Sequence, residues 1–210
     1  MNGLLFIAHQ TERYSYLQSI ELALKGGCKE VQLRMKDASI EELLFVGKQA
    51  KQLCDTYNAK LYIDDHAEVC KKLNATGVHL GKNDMPPSQA RELLGDNYII
   101  GGTTNTFEDI IHLYKQGVNY VGLGPFRFTT TKKNLSPVLG VAGYASIIHS
   151  CREAGINLPI IAIGGITEAD IPAIMETGVS TIAISSSILT ATDPVSETKK
   201  LIKLIDTYKR

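Results

Sequence analysis

KLYIDDHAEVCKKLNATGVHLGKNDMPPSQARELLGDNYIIGG, residues 60–102, carries the repeat that decides the fold. Three short apolar runs, Lys60–Ile63, Gly77–Leu80 and Tyr98–Gly102, read as strands. Between them stand a helical segment beginning at His66 and another at Pro87–Leu94. The same alternation extends both ways. Leu4–Ala8 and Glu30–Arg34 precede the stretch, and Tyr120–Gly124, Ile160–Ile163 and Thr181–Ser185 follow it. Further helices are predicted at Ser39–Thr56, with a Ser39–Glu42 capping-box spacing, and after Thr106 with Asp109. Two more are predicted at Thr167–Thr177, closed by Gly178, and at Pro194–Lys209 behind an Asp193 cap. Eight strand–helix units in strict alternation predict a parallel sheet closed into a (β/α)8 TIM barrel, one α/β domain over residues 1–210. The alternative, an open doubly wound sheet, lacks a GxGxxG after the first strand.

Composition narrows the classes of function. The chain has 210 residues, with 22 basic against 22 acidic side chains. That balance offers no general field for nucleic acid or an anionic membrane, so neither is an expected partner. No run approaches the roughly 18 apolar residues of a membrane span, and Gly3–Ala8 is too short for a leader. A cytoplasmic enzyme is expected. Cys28, Cys54, Cys70 and Cys151 are widely spaced, without a CxxC pair, and read as reduced, packed thiols. The sequence leaves the oligomeric state open.

In such barrels chemistry gathers at the carboxyl ends of the strands. Those ends read Gln32-Leu33-Arg34-Met35-Lys36, Asp64-Asp65, Gly81-Lys82-Asn83-Asp84 and Thr103-Thr104-Asn105. They continue with Gly124-Pro125, then Thr129–Lys133, Gly164-Gly165 and Ser185-Ser186-Ser187. Acids, cations and small residues on one rim suit an anionic, metal-bound ligand. Asp65 and Asp84 on adjacent strand ends can converge on a hard cation such as Mg2+, which takes one or two carboxylates beside phosphate oxygens. Helix capping explains each of them equally well at this point. Arg34 and Lys36 alternate along one strand and, with Lys132, suit a pyrophosphate, although solvated surface cations have the same spacing. Gly164-Gly165 before a helix start and Ser185-Ser186 suit a second phosphate, or only tight turns. His9, His66, His79, His112 and His149 form no HxxxH or HExxH pair. His79 can face either side of its strand.

Gln-Leu-Arg-Met-Lys (32–36), Ile-Asp-Asp (63–65), Gly-Val-His-Leu-Gly-Lys-Asn-Asp (77–84), Gly-Leu-Gly-Pro (122–125), Thr-Thr-Thr-Lys-Lys (129–133), Ile-Ala-Ile-Gly-Gly-Ile (161–166) and Ala-Ile-Ser-Ser (183–186) occur in this order. Together the set resembles the thiamine phosphate synthase family over nearly the whole chain. The resemblance implies a transferase that joins hydroxymethylpyrimidine pyrophosphate to thiazole phosphate, with Mg2+, and releases pyrophosphate. It gives Gln32, Arg34, Lys36, Asp64 and Thr103 to the pyrimidine substrate and Lys132 to the pyrophosphate. Asp65 and Asp84 become the metal ligands. Thr129, Thr131, Gly164, Gly165, Ser185 and Ser186 fall to the thiazole phosphate. Arg34, Lys36, Lys132 and Thr103 are the expected catalytic set, and Thr129–Lys133 an expected lid. The chain departs from the family pattern at Asp64, Met35, Lys82, Asn105, Arg127 and Phe128, with Lys82 a candidate to offset the charge of Asp64. Two other readings compete: a thiazole tautomerase, which needs an acid–base group where Pro125 stands, and a non-catalytic phosphate-ligand binding protein.

Overall fold

The computed structural model describes residues 3–128 and 136–209. Eight parallel strands close on themselves in sequence order, each paired with its neighbours and β1 with β8. They are β1 Gly3–Ala8, β2 Glu30–Leu33, β3 Lys60–Asp64, β4 Gly77–Leu80, β5 Ile99–Thr104, β6 Tyr120–Leu123, β7 Ile160–Ala162 and β8 Thr181–Ile184. Helices α1 Tyr16–Lys25, α2 Ile40–Thr56, α3 Ala67–Lys72, α4 Pro87–Leu94, α5 Phe107–Lys115, α6 Gly140–Glu153, α7 Ile171–Glu176, α8 Ser186–Leu189 and α9 Pro194–Thr207 follow the strands. The predicted barrel is the fold found.

Period-two alternation explains why the strands read as continuous apolar runs. Val31, Ile63, Val78, Ile100, Val121 and Ile182 are fully buried in the layer shared with the helices. Their alternate neighbours Leu5, Ile7, Tyr62, Tyr120, Ile161 and Ala183 fill the barrel interior as a second cluster. Both faces of the sheet are therefore covered, as parallel sheets require. Each of the valine, leucine and isoleucine side chains among these residues contributes about 1.5–3 kcal/mol of transfer free energy. Gly101 makes room for a tyrosine of the interior cluster. A Cβ there would lie 2.0 Å from Cζ of Tyr120, whose ring occupies that space.

The capping signals hold with one exception. Thr106 forms a reciprocal capping box with Asp109, and the Asp193 carboxylate accepts from the amides of Val195 and Ser196. Ser39 accepts from the amide of Glu42, but Glu42 does not return the bond. The segment predicted as one helix at Thr167–Thr177 divides. A 3-10 turn, Glu168–Asp170, precedes α7, whose second residue is Pro172.

Among the described residues no helix is long and apolar enough to cross a membrane. All four cysteines are buried and unpaired.

Candidate active site

A cavity of about 420 Å³ opens at the carboxyl ends of the strands. Gln32 and Arg34 point into it by the same strand alternation that places Leu5 and Tyr62 inside the barrel. Lys36, Asp64, Asp65, His79 and Thr103 share its wall, and Gly164, Gly165, Ser185 and Ser186 line the opposite side. Thr129, Thr131 and Lys132, and the segment expected to form a lid, lie outside the described residues.

The charged corner centres on Asp64. Its buried carboxylate accepts from Gln32 Nε2 at 2.6 Å and lies 3.4 Å from Arg34 Nε and 3.8 Å from Lys36 Nζ. Burial, reinforced by the neighbouring Asp65, pushes its pKa up to about 7 against the pull of Lys36, Arg34 and Gln32. Lys82 does not offset this charge. Its ammonium pairs with Asp109 of α5 at 2.6 Å, because the β4–α4 turn points it away from the cavity.

Neither Asp65 nor Asp84 caps a helix. The cap positions of α3 and α4 are His66 and Pro86, neither of which makes a side-chain capping bond. Asp65 instead takes a left-handed backbone (φ +66°), fixed by its amide donating to the carbonyl of His79. Such a conformation in a non-glycine residue concentrates at functional sites. Asp84 accepts from the Gly81 amide at 2.6 Å, and its carboxyl group lies against that of Asp65. Burial and Asp65 raise the Asp84 pKa; burial opposes ionisation of Asp65 too, but Asp84 and Lys36 hold it below the usual range. Two carboxyl groups in contact need either a shared proton or a cation between them. A Cβ at Gly81 would lie 2.8 Å from Asp84 Oδ2 and 3.9 Å from Asp65 Oδ1, so both acids face one small space. This is an all-oxygen, two-carboxylate arrangement that fits Mg2+. Among the described residues no cluster of three or more His, Cys, Asp or Glu side chains could hold a metal.

The opposite wall is a pair of turns. Gly164 and Gly165 both have positive φ, +100° and +67°. A Cβ on Gly164 would press on Pro125 at 2.7 Å, so local packing demands glycine there whatever binds. The Ser185 hydroxyl donates to the carbonyl of Ile7 and accepts from His9 Nδ1 at 2.5 Å. Its proton is thus committed, and what Ser185 can offer an anion is its backbone amide. Ser187 likewise donates to Ile166 O at 2.8 Å. Ser186, at the start of α8, lines the cavity between them.

His9 is the residue that the sequence did not single out. It lies just beyond β1, and the β1–β8 pairing that closes the barrel brings it to Ser185. A histidine, left unplaced by the sequence, therefore stands at this end of the rim. A lone histidine without a paired motif gave no signal. Burial, then the nearby Arg34, lowers its pKa.

Two of the departures from the family pattern have structural work. Asn105 Nδ2 donates to Gly124 O and Pro137 O, both at 2.9 Å, tying together the two ends of the β6–α6 connection. Arg127 Nη2 lies 2.7 Å from Asp170 Oδ1, and its guanidinium sits over the Phe126 ring.

In comparison with known proteins, a family model described as thiamine monophosphate synthase matches residues 4–188. The chain is 58% identical to a thiamine-phosphate synthase of Bacteroides thetaiotaomicron, covering 97% of this chain and 98% of that one. It is 59% identical to the Bacteroides fragilis protein of the same name, over 97% of this chain and all of the other. A solved thiamine phosphate pyrophosphorylase from Pyrococcus furiosus superposes with a TM-score of 0.86 at 31% identity, covering 99% of this chain and 97% of that one.

Proposed function

Because the chain belongs to the thiamine monophosphate synthase family, and so to the transferases, we propose that it joins hydroxymethylpyrimidine pyrophosphate to thiazole phosphate, releasing pyrophosphate and thiamine phosphate. One observation carries the proposal. A single cavity runs from a corner where Arg34 and Lys36 meet the carboxyl groups of Asp64 and Asp65, with Asp84 in the adjoining pocket behind Gly81, to the paired turns at Gly164-Gly165 and Ser185-Ser186. A pyrophosphate suits the first end and a phosphate monoester the second. The space between is walled by Ile7, Ile163 and Ala183, apolar surface for two flat heterocycles.

Asp65 and Asp84 would hold Mg2+, which when bound supplies charge that stabilises a departing pyrophosphate. Arg34 and Lys36 bind the pyrophosphate oxygens from the β2 side, and Lys132 is proposed as a third cation. The bond between the pyrimidine methylene carbon and the pyrophosphate oxygen breaks first, its electron pair leaving with the pyrophosphate. The aminopyrimidine ring spreads the resulting positive charge. The thiazole nitrogen then supplies the pair that forms the new C–N bond. Nothing in this sequence needs a side-chain base. The protein's share is positioning, charge and exclusion of water. The phosphate monoester fixes the thiazole through the glycine turn, the Ser185 and Ser186 amides and the Ser186 hydroxyl, with Thr129 and Thr131 as proposed additions. A cytoplasmic location accords with these substrates.

The test runs two assays on one preparation with Mg2+. Release of pyrophosphate only when both substrates are present, with thiamine phosphate as product, supports the reading. Interconversion of thiazole tautomers with no pyrophosphate released would replace it with the tautomerase reading, and binding without turnover with a non-catalytic one.

A further inference from the structure

Three polar side chains lead from the barrel interior to the cavity wall. The Tyr120 hydroxyl, on a fully buried ring, lies 3.1 Å from His79 Nδ1. His79 Nε2 lies 3.0 Å from Thr103 Oγ1. The two rings stack, with centroids 5.6 Å apart and planes at 27°. Gly122 keeps the far side clear, because a Cβ there would lie 3.0 Å from His79 Cε1. Both His79 and Thr103 line the cavity.

The direction of these bonds follows from counting protons. A phenol buried this deeply keeps its hydrogen, and burial raises the Tyr120 pKa well above its ordinary value. Among the described residues that hydrogen has one acceptor, His79 Nδ1. A neutral imidazole that accepts at Nδ1 carries its own hydrogen on Nε2. Nε2–H then donates to Thr103 Oγ1, so the Thr103 hydroxyl hydrogen is turned away from His79. A ring protonated on both nitrogens, or on Nδ1 alone, would leave the Tyr120 hydrogen buried without a partner, which is costly.

We infer that Tyr120 and His79 are positioning residues that hold the Thr103 hydroxyl as a hydrogen-bond donor into the cavity, selecting a heterocycle that presents a bare ring nitrogen there. The inference rests on the pyrimidine substrate proposed above. An aminopyrimidine has such a nitrogen beside its amino group. The corresponding oxopyrimidine carries a hydrogen on that nitrogen, so two donors would meet. The chain Tyr120–His79–Thr103 thus sets amino against oxo selectivity from a tyrosine that never touches the ligand.

The first measurement needs no turnover. Protein labelled with 15N at histidine is examined by NMR, with His79 assigned by comparison with His79→Gln. A single Nε2–H tautomer in the free protein is the expected result; a proton on Nδ1, or on both nitrogens, overturns the proposal. The second compares kcat/KM for the aminopyrimidine pyrophosphate and its oxo analogue. The wild type is expected to prefer the amino compound by about tenfold or more. Tyr120→Phe should shift the His79 tautomer and erase most of that preference, and Thr103→Val should erase it as well. A preference unchanged in Tyr120→Phe overturns the proposal. Absence of any turnover in the wild type would instead count against the proposed reaction, leaving the tautomer result standing on its own.

Discussion

Lys36 Nζ stands 2.5 Å from Asp65 Oδ2 and 3.8 Å from Asp64 Oδ2, so one ammonium spans two successive carboxyl groups. With Arg34 it makes two cations facing the three carboxyl groups of Asp64, Asp65 and Asp84. With all three acids ionised this corner repels a pyrophosphate, and a divalent cation reverses that sign.

Pyrophosphate should therefore raise the melting temperature at pH 8 only when Mg2+ is present. Asp65→Asn and Asp84→Asn should each remove this effect and lower turnover by about a hundredfold or more. Asparagine keeps the left-handed backbone at position 65 accessible, so melting without ligands should change little. Thermal shift and pyrophosphate release measure both; full turnover without Mg2+ in either variant would refute the metal assignment.

His9 links pH to stability through Ser185. Its folded pKa is depressed, so the folded state resists protonation that the unfolded chain accepts near pH 6.5. The contribution is present above the unfolded pKa and is lost as pH falls through the folded value. Urea titrations from pH 7.5 down to about 5 should show a steeper loss for the wild type than for His9→Asn. Parallel losses would mean that the histidine titrates alike in both states.

Gly164→Ala should destabilise the protein by about 1–3 kcal/mol from backbone strain alone, with the clash against Pro125 adding more. Gly140 is the control, since it also has a positive φ (+57°) but nothing within 4 Å of a new Cβ. The difference between the two variants in urea unfolding reads the clash. Equal losses would show that the turn can move away from Pro125.

Asn105→Ala removes a buried amide that serves two carbonyls, Gly124 O and Pro137 O. A loss of about 1–3 kcal/mol in ΔG of unfolding is expected, with the urea m-value unchanged. No loss would mean that water replaces the amide fully.

The barrel was legible because both of its periodicities lie within single segments. Apolar runs such as Ile99-Ile100 and the acids and cations just past each strand need only local reading, and they placed Gln32, Arg34, Lys36, Asp65 and Thr103 on one wall. Relationships between strands were not legible. His9 meets Ser185 because the barrel closes β1 onto β8, 176 residues apart in sequence. His79 meets Tyr120 across β5, where Gly101 leaves the space. Lys82 looked like a partner for Asp64, but its direction is set by a turn whose geometry no residue pattern encodes.

The claim that one cavity holds a metal-bound pyrophosphate at one end and a phosphate monoester at the other is tested most directly by a crystal structure with Mg2+, pyrophosphate and thiazole phosphate. The account predicts pyrophosphate on Arg34 and Lys36 with Mg2+ between it and the Asp65 and Asp84 carboxylates. It places the thiazole phosphate on Gly164-Gly165 and the Ser185-Ser186 amides, its ring nitrogen facing the pyrophosphate. Both anions at the same end, or Mg2+ bound away from Asp65 and Asp84, would contradict it.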